Sequence, residues 1–304
     1  MRLAFLADGS LGAPALDFLA STGRLAAVAW GPSDPPCRDW ASGRCAELAI
    51  PFLAAAEAVD LGPWLAGENL DLGLVFGLPW KLPVEVLRLP RLGCLNLHGG
   101  PLPGYRGPQP VFWQLRNGEE ASALVAHRMD AGLDTGPVVA ALPLPIPPDA
   151  TFGLLTQALA QAAPSLLQSL LQALAAQGEA ILDAAQPQGE GRTWPRPGPE
   201  AVRIDWEGQG ARQVLALVRA CNPWNSGAWT SLSGQPCRLV EATLLSPPGP
   251  GGPPGSVSFL EPDGLAIACA DGLGLRLDIL RLEEGFFTGA VLRARGVGPG
   301  ARFA

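Results

Sequence analysis

Lysine is almost absent from the 304-residue chain: Lys81 stands alone against twenty arginines, a bias that GC-rich codon usage explains without any functional reading. Histidine is as scarce, with only His98 and His127, so imidazole chemistry has two candidates at most. The six cysteines form no CxxC pair and no metal-ligand spacing with histidine, which predicts reduced thiols and no metal site. No unbroken apolar run is long enough for a membrane helix. The richest stretch, "TFGLLTQALAQAAPSLLQSLLQALAAQG", is broken by Gln157, Gln161, Gln168, Gln172 and Pro164 and reads as a kinked or paired helix of a soluble protein. "MRLAFLAD" is interrupted by Asp8 too early for a signal peptide, so a cytoplasmic protein with no membrane partner is expected. Positive charge is also lacking. The formal net charge is −7, and residues 201–304 hold nine Arg against nine Asp or Glu. Both figures work against a binding mode that neutralises many phosphates. "DGSLG", residues 8–12, has glycines but not the G-x-G-x-x-G order of a phosphate loop, and Ser10 reads as a helix N-cap.

What the chain does have is alternation. "RLAFLA", "LAAVAWG", "PFLA", "DLGLVFG" and "GCLNLHG" are strand-like, and helix-like pieces lie between them, a pattern that predicts a mainly parallel sheet wound by right-handed crossovers. "PVFWQLRNG" reads as a helix, and "SALVAHRMD" and "PVVAALPLPI" as further strands. Pro, Gly and charge cluster without periodicity around residues 184–200, which marks a linker. Past it, one amphipathic helix and several short β-like runs suggest a small barrel or sandwich. The division expected is therefore 1–185 for a catalytic domain, 186–200 for a linker and 201–304 for a C-terminal β-domain.

Chemistry concentrates in "CLNLHGGPLPGYRG". Strand alternation puts Asn96 and His98 on one side of a strand whose carboxyl end opens into a stiff Gly-Pro loop. A later turn, "MDAGLDTGP", carries Asp130 and Asp134. An amide N–H stabilises an oxyanion, an imidazole donates to it or moves a proton, and a carboxylate orients the imidazole. No Ser or Cys nucleophile stands beside His98, which favours direct attack by an amine or water over an acyl-enzyme. His127 has no such company in the sequence and reads as a structural or pocket-rim residue.

These motifs, with "LVFGLPWKLPVEVLRLPRLGCLNLHGGPLPGYRGPQP" and "HRMDAGLDTGPVVA" as they stand, resemble the 10-formyltetrahydrofolate-dependent formyltransferases. "VRIDWEGQGARQVLALVRACNPWNSGAW" extends the resemblance beyond the linker, to the C-terminal domain of methionyl-tRNA and aminoarabinose formyltransferases. The resemblance implies an α/β, Rossmann-like formyltransferase domain and a small OB-like C-terminal β-barrel. It implies 10-formyltetrahydrofolate as co-substrate, with Asn96 on the oxyanion, His98 as general acid or base, and Asp134 raising the imidazole pKa. The folate would lie against Trp80, Lys81 and Leu82, the loop Gly100, Pro101, Leu102 and Pro103, and the turn Asp130, Ala131, Gly132 and Leu133. Asp130 also fits a turn cap, and Arg106 fits either a substrate contact or a surface ion pair. Gly100-Pro101 departs from the family, which commonly has Ser where Gly100 stands. The acidic net charge, the neutral barrel and a second-strand loop without excess basic residues disfavour tRNA, and "HRM" leans toward the sugar-modifying branch. The expected acceptor is thus a small-molecule amine such as an amino-sugar nucleotide. Methionyl-tRNA formylation and a folate-binding protein without turnover are the alternatives. The sequence names no oligomeric partner.

Overall fold

The computed structural model describes residues 1–304. They divide into two compact units, one of Met1–Pro110, Ala121–Pro145 and Thr156–Trp194, the other of Val111–Glu120, Ile146–Leu155 and Pro195–Ala304.

The first unit alternates β1 (Leu3–Ala7), α1 (Ala13–Ser21), β2 (Leu25–Trp30), α2 (Pro35–Glu47), β3 (Phe52–Ala54), α3 (Leu61–Leu65), β4 (Leu72–Phe76), α4 (Val84–Leu87) and β5 (Cys94–His98). Next come α5 (Pro110–Arg116), which groups from Val111 onward with the second unit, then β6 (Ala121–Arg128), β7 (Val138–Pro145), α6 (Phe152–Gln177) and α7 (Ala180–Asp183). The strand order is β3-β2-β1-β4-β5-β6-β7. The first five strands are parallel, while β6 and β7 run antiparallel. β1 and β4 are buried at every position, as strands covered on both faces must be. Leu6, Ala27, Leu61, Val75 and Val86 meet in one apolar cluster. β7 carries Pro143 and Pro145, both exposed, and proline's missing N–H is tolerated at such an edge position. The strand order reverses between β1 and β4, the crevice position at which open α/β sheets bind ligands. α6 runs as one helix through Pro164, and no helix is long and apolar enough to cross a membrane. Ser10 is not a cap: it lies in a short 3-10 turn, and Gly12 occupies the N-cap position of α1.

The second unit contains α8 (Ala211–Ala220), β8 (Ala228–Leu232), β9 (Gln235–Leu244), β10 (Val257–Leu260), β11 (Gly264–Ala268), β12 (Gly274–Leu282), β13 (Gly285–Thr288) and α9 (Gly289–Ala294). Its antiparallel sheet is ordered β10-β11-β12-β9-β8, with β13 added beside β12. The last residues join the two sheet edges. Ser231 N–H donates to the Ala304 carbonyl at 2.9 Å on the β8 side, and Phe303 N–H donates to the Gly255 carbonyl at 2.8 Å beside β10. The sheet therefore curls into a barrel-like ring around buried Leu239, Leu265, Leu280 and Phe303.

Candidate active site

Asn96 and His98 project from β5 at alternate positions, and the chain turns at once into the Pro loop. Antiparallel pairing of β5 with β6 sets Asn96 directly opposite His127. Asp134 has a left-handed backbone (φ 54°) in the turn after β6, and this turn brings its carboxylate between the two rings. Asp134 Oδ2 lies 3.6 Å from His98 Nδ1, and Oδ1 lies 3.4 Å from His127 Nε2. Asn96 Nδ2 donates to Asp134 Oδ1 at 3.3 Å and is 3.2 Å from His127 Nε2. Gly107 N–H donates to Asp134 Oδ2 at 2.8 Å. Asn96, His98 and Asp134 are thus together, and His127, read from sequence as a bystander, is the fourth member of the cluster.

Each ring has one nitrogen anchored on a backbone carbonyl. His98 Nε2 is 2.6 Å from the Tyr105 carbonyl and His127 Nδ1 is 2.9 Å from the Arg128 carbonyl. A carbonyl only accepts, so each of those nitrogens carries hydrogen. The other ring nitrogens, His98 Nδ1 and His127 Nε2, face the Asp134 carboxylate. His98 is 5% exposed, and this burial holds its pKa below the ordinary imidazole value although the Asp134 carboxylate and the Tyr105 carbonyl push upward. The expected upward shift from Asp134 is thus present but loses to desolvation, leaving His98 neutral near pH 7. Burial pushes the Asp134 pKa up, but the two histidines and the Gly107 N–H outweigh it and keep the carboxyl below the usual carboxylate range. Cys94, in the same strand, is buried and its pKa is pushed up to about 12, so it is a thiol and not a nucleophile.

A second feature escaped the sequence reading. Residues 186–194, in the Pro- and Gly-rich stretch, lie along both loops of the site. Arg192 N–H donates to the Pro103 carbonyl and Arg106 N–H to the Arg192 carbonyl, both at 3.1 Å, and Trp194 N–H donates to the Arg106 carbonyl at 2.8 Å. Gln188 Nε2 donates to the carbonyls of Asp134 (3.0 Å) and Gly136 (2.6 Å), while its Oε1 accepts from Arg106 Nε at 3.0 Å. One glutamine thereby ties the Pro loop to the aspartate turn. Arg106 makes no ion pair; its Nη2 donates to the Gly189 carbonyl at 3.0 Å. The only local signal for this strap was "QPQGEGRTW" itself, whose composition looks like a linker because its hydrogen bonds go to distant backbone.

The other residues expected to meet folate are distributed unevenly. Leu82 is 3% exposed in the apolar core, so its side chain has no free surface. Trp80 packs half-buried on the same apolar cluster as Met129, and Lys81 is exposed beside it. Gly100 is buried; Pro101, Leu102 and Pro103 are half-buried. Ala131, Gly132 and Leu133 are exposed. Asp130 is also exposed, and its Oδ1 accepts from Gly132 N–H at 2.8 Å and Thr135 Oγ1 at 2.7 Å, as a turn cap does.

An amide, two imidazoles and a carboxylate thus stand together at strand ends of an α/β sheet, with no activated nucleophile beside them. Family models sharpen this: residues 63–171 match the formyl transferase domain and residues 198–288 the formyl transferase C-terminal domain. The methionyl-tRNA formyltransferase of Sorangium cellulosum (strain So ce56) is 33% identical over 281 residues, 90% of this chain and 89% of that protein. Among solved structures, HypX from Aquifex aeolicus in complex with tetrahydrofolic acid shares the fold (TM-score 0.65, 21% identity, 98% of this chain and 48% of that one). So does the N-formyltransferase from Helicobacter canadensis (TM-score 0.66, 14% identity, 91% and 98%). The chain belongs to the formyl transferase family. It is a formyltransferase that uses 10-formyltetrahydrofolate.

The relatives overturn one expectation, that tRNA is disfavoured as partner, because the curated relatives it matches over nine-tenths of its length are methionyl-tRNA formyltransferases. Net charge misled because it sums over a surface while recognition is local. On the outer face of the C-terminal sheet, Trp229, Arg238, Arg281 and Phe286 are successive cross-strand partners on β8, β9, β12 and β13. The Arg238 guanidinium lies 5.0 Å from the Trp229 ring and that of Arg281 lies 5.9 Å from Phe286. Neither arginine pairs with a carboxylate, although the module is neutral overall. Arg238 is held below its ordinary pKa by burial and by neighbouring Arg281.

Proposed function

We propose that the enzyme formylates the amino group of methionyl-tRNA in the cytoplasm. The observation that carries this reading is the identity over about 90% of both chains to methionyl-tRNA formyltransferases. The paired arginines between two aromatic rings support it, since cations track phosphates and aromatic faces stack on bases.

In this reading the acceptor amine attacks the formyl carbon, the carbonyl electron pair moves to oxygen, and the C–N bond to the folate then breaks. Asn96 supplies the N–H that meets the oxyanion. Neutral His98 holds a lone pair at Nδ1 for the amine's proton, and ionised Asp134 stabilises the imidazolium so formed. The residues present fit the folate. Trp80 and Met129 offer half-buried apolar faces, Leu133 is 42% exposed one residue before Asp134, and Lys81 supplies a cation for a glutamyl carboxylate. The folate supplies the activated formyl group; the protein supplies position, charge and proton handling.

The test incubates the full chain with 10-formyltetrahydrofolate and initiator tRNA charged with methionine, in parallel with amino-sugar nucleotides, and reads the formyl mass increment. Formylmethionyl-tRNA formation supports the reading. Turnover of the amino sugars with none of the charged tRNA overturns it.

A further inference from the structure

Asp134 keeps a backbone conformation (φ 54°) that an L-residue holds only when its surroundings impose it. The half-buried side chain of Gln188 grips that backbone. Its Nε2 directs one hydrogen to the Asp134 carbonyl at 3.0 Å and the other to the Gly136 carbonyl at 2.6 Å, and its Oε1 accepts from Arg106 Nε at 3.0 Å. Carbonyls only accept and a guanidinium only donates, so the amide stands in a single orientation. Arg106 is itself fixed, with Nη2 on the Gly189 carbonyl at 3.0 Å. The strap carrying Gln188 is anchored on both sides of it. Gln186 and Val138 exchange backbone hydrogen bonds of 2.8 and 2.9 Å, and Arg192 N–H donates to the Pro103 carbonyl at 3.1 Å. Gly191 leaves no room for a side chain, since a Cβ there would lie 2.3 Å from the Pro103 carbonyl oxygen.

We propose that Gln188 is a positioning residue for formyl transfer that acts through Asp134. Its two N–H bonds hold the backbone of the turn, and the held backbone sets the carboxylate 3.6 Å from His98 Nδ1 and 3.4 Å from His127 Nε2. Two donors toward the turn and one acceptor toward Arg106 form a pattern that a primary amide meets on one planar group. An ionised glutamate keeps the acceptor for Arg106 but turns oxygen lone pairs against two carbonyls. Methionine fills the volume and leaves both carbonyls and Arg106 Nε without this partner. Either change releases the turn and lets the carboxylate move relative to the imidazoles. A misplacement of about 1 Å in a catalytic site costs about 100-fold in rate. The inference rests on the catalytic reading of Asp134.

The test measures steady-state kinetics of the full-length enzyme at about pH 8, where glutamate is ionised, with 10-formyltetrahydrofolate as donor. The acceptor is methionyl-tRNA, or the amino-sugar nucleotide that the wild type formylates if charged tRNA is not turned over, so failure of the tRNA reading leaves the test intact. Gln188→Met and Gln188→Glu are each expected to lose about 10- to 100-fold in kcat, with KM for both substrates within about twofold of wild type. On an Asp134→Asn background, Gln188→Met should cost less than about twofold more, because a residue acting through Asp134 then has nothing left to position. Wild-type kcat in either Gln188 variant overturns the proposal, and so does an equal loss in both backgrounds, the mark of a merely structural tie. Asp134→Asn separates the levels. Full activity there sinks the catalytic reading together with the proposal, whereas an impaired Asp134→Asn beside a fully active Gln188→Met sinks the proposal alone. A measurement on the wild-type protein is independent of variant folding: by NMR, both side-chain amide hydrogens of Gln188 are expected to exchange with solvent more slowly than those of exposed Gln172. Equal exchange rates overturn the proposal.

Discussion

Replacing Gly107 with alanine tests whether the strap holds the Asp134 carboxylate in place. Gly107 has φ +102°, and a Cβ added there would sit 2.2 Å from the Trp194 carbonyl oxygen, a backbone atom that no rotamer change can move. Relief to an ordinary C···O contact needs a displacement of about 1 Å. That shift falls on three backbone bonds between residues 103–106 and 192–194, each contributing about 1 kcal/mol net. Left-handed backbone costs an L-residue about 1–2 kcal/mol more. The same movement draws the Gly107 N–H away from Asp134 Oδ2, a charge-assisted bond of about 1.5–3 kcal/mol. The loss is therefore about 6 kcal/mol in stability, or roughly 18 °C in the melting temperature of the first unit, with kcat falling at least about tenfold. Differential scanning calorimetry and formyl-transfer kinetics read both, and Gly104→Ala in the same loop is the control, because its Cβ meets only the Pro101 carbonyl oxygen at an ordinary 3.6 Å. A Gly107→Ala enzyme that melts within 2 °C of this control, a margin of roughly 1 kcal/mol or less, and turns over normally would refute the reasoning.

Two further outcomes follow from charge. Because burial depresses the His98 pKa, the folded state binds this proton more weakly than the unfolded state. Stability from this group is fully present above about pH 6.5 and is lost as pH falls below it, at no more than about 1.4 kcal/mol per pH unit. Urea midpoints from pH 8 to 5 should show that slope, and His98→Asn should flatten it; identical slopes contradict the assignment. On the C-terminal face, Arg238→Ala and Arg281→Ala should each raise KM for charged tRNA and reduce the log–log salt slope by about one, leaving KM for the folate donor unchanged. An unchanged salt slope removes the row from the tRNA-binding surface.

Much of this molecule was legible along the chain because its signals are local. Apolar runs separated by helix-period segments determine the parallel strands, and alternation within "CLNLH" places Asn96 and His98 on one side of β5 before any partner is known. The resemblance to the formyltransferases singled out Asp134 from the two carboxylates on the later turn. Three things waited for tertiary structure. His127 joins the site because β6 pairs antiparallel to β5 in a register that sets it opposite Asn96, and a strand's period says nothing about its neighbour's register. Gln188 matters because its amide reaches carbonyls more than fifty residues away, where composition shows only a loop. The sign of the His98 shift depended on burial outweighing a nearby carboxylate, and the Arg238–Arg281 row on cross-strand pairing that a net charge averages away. Sequence determined which groups could do chemistry and on which element each would stand; desolvation and register, properties of the packed chain alone, decided which groups meet and in what protonation state.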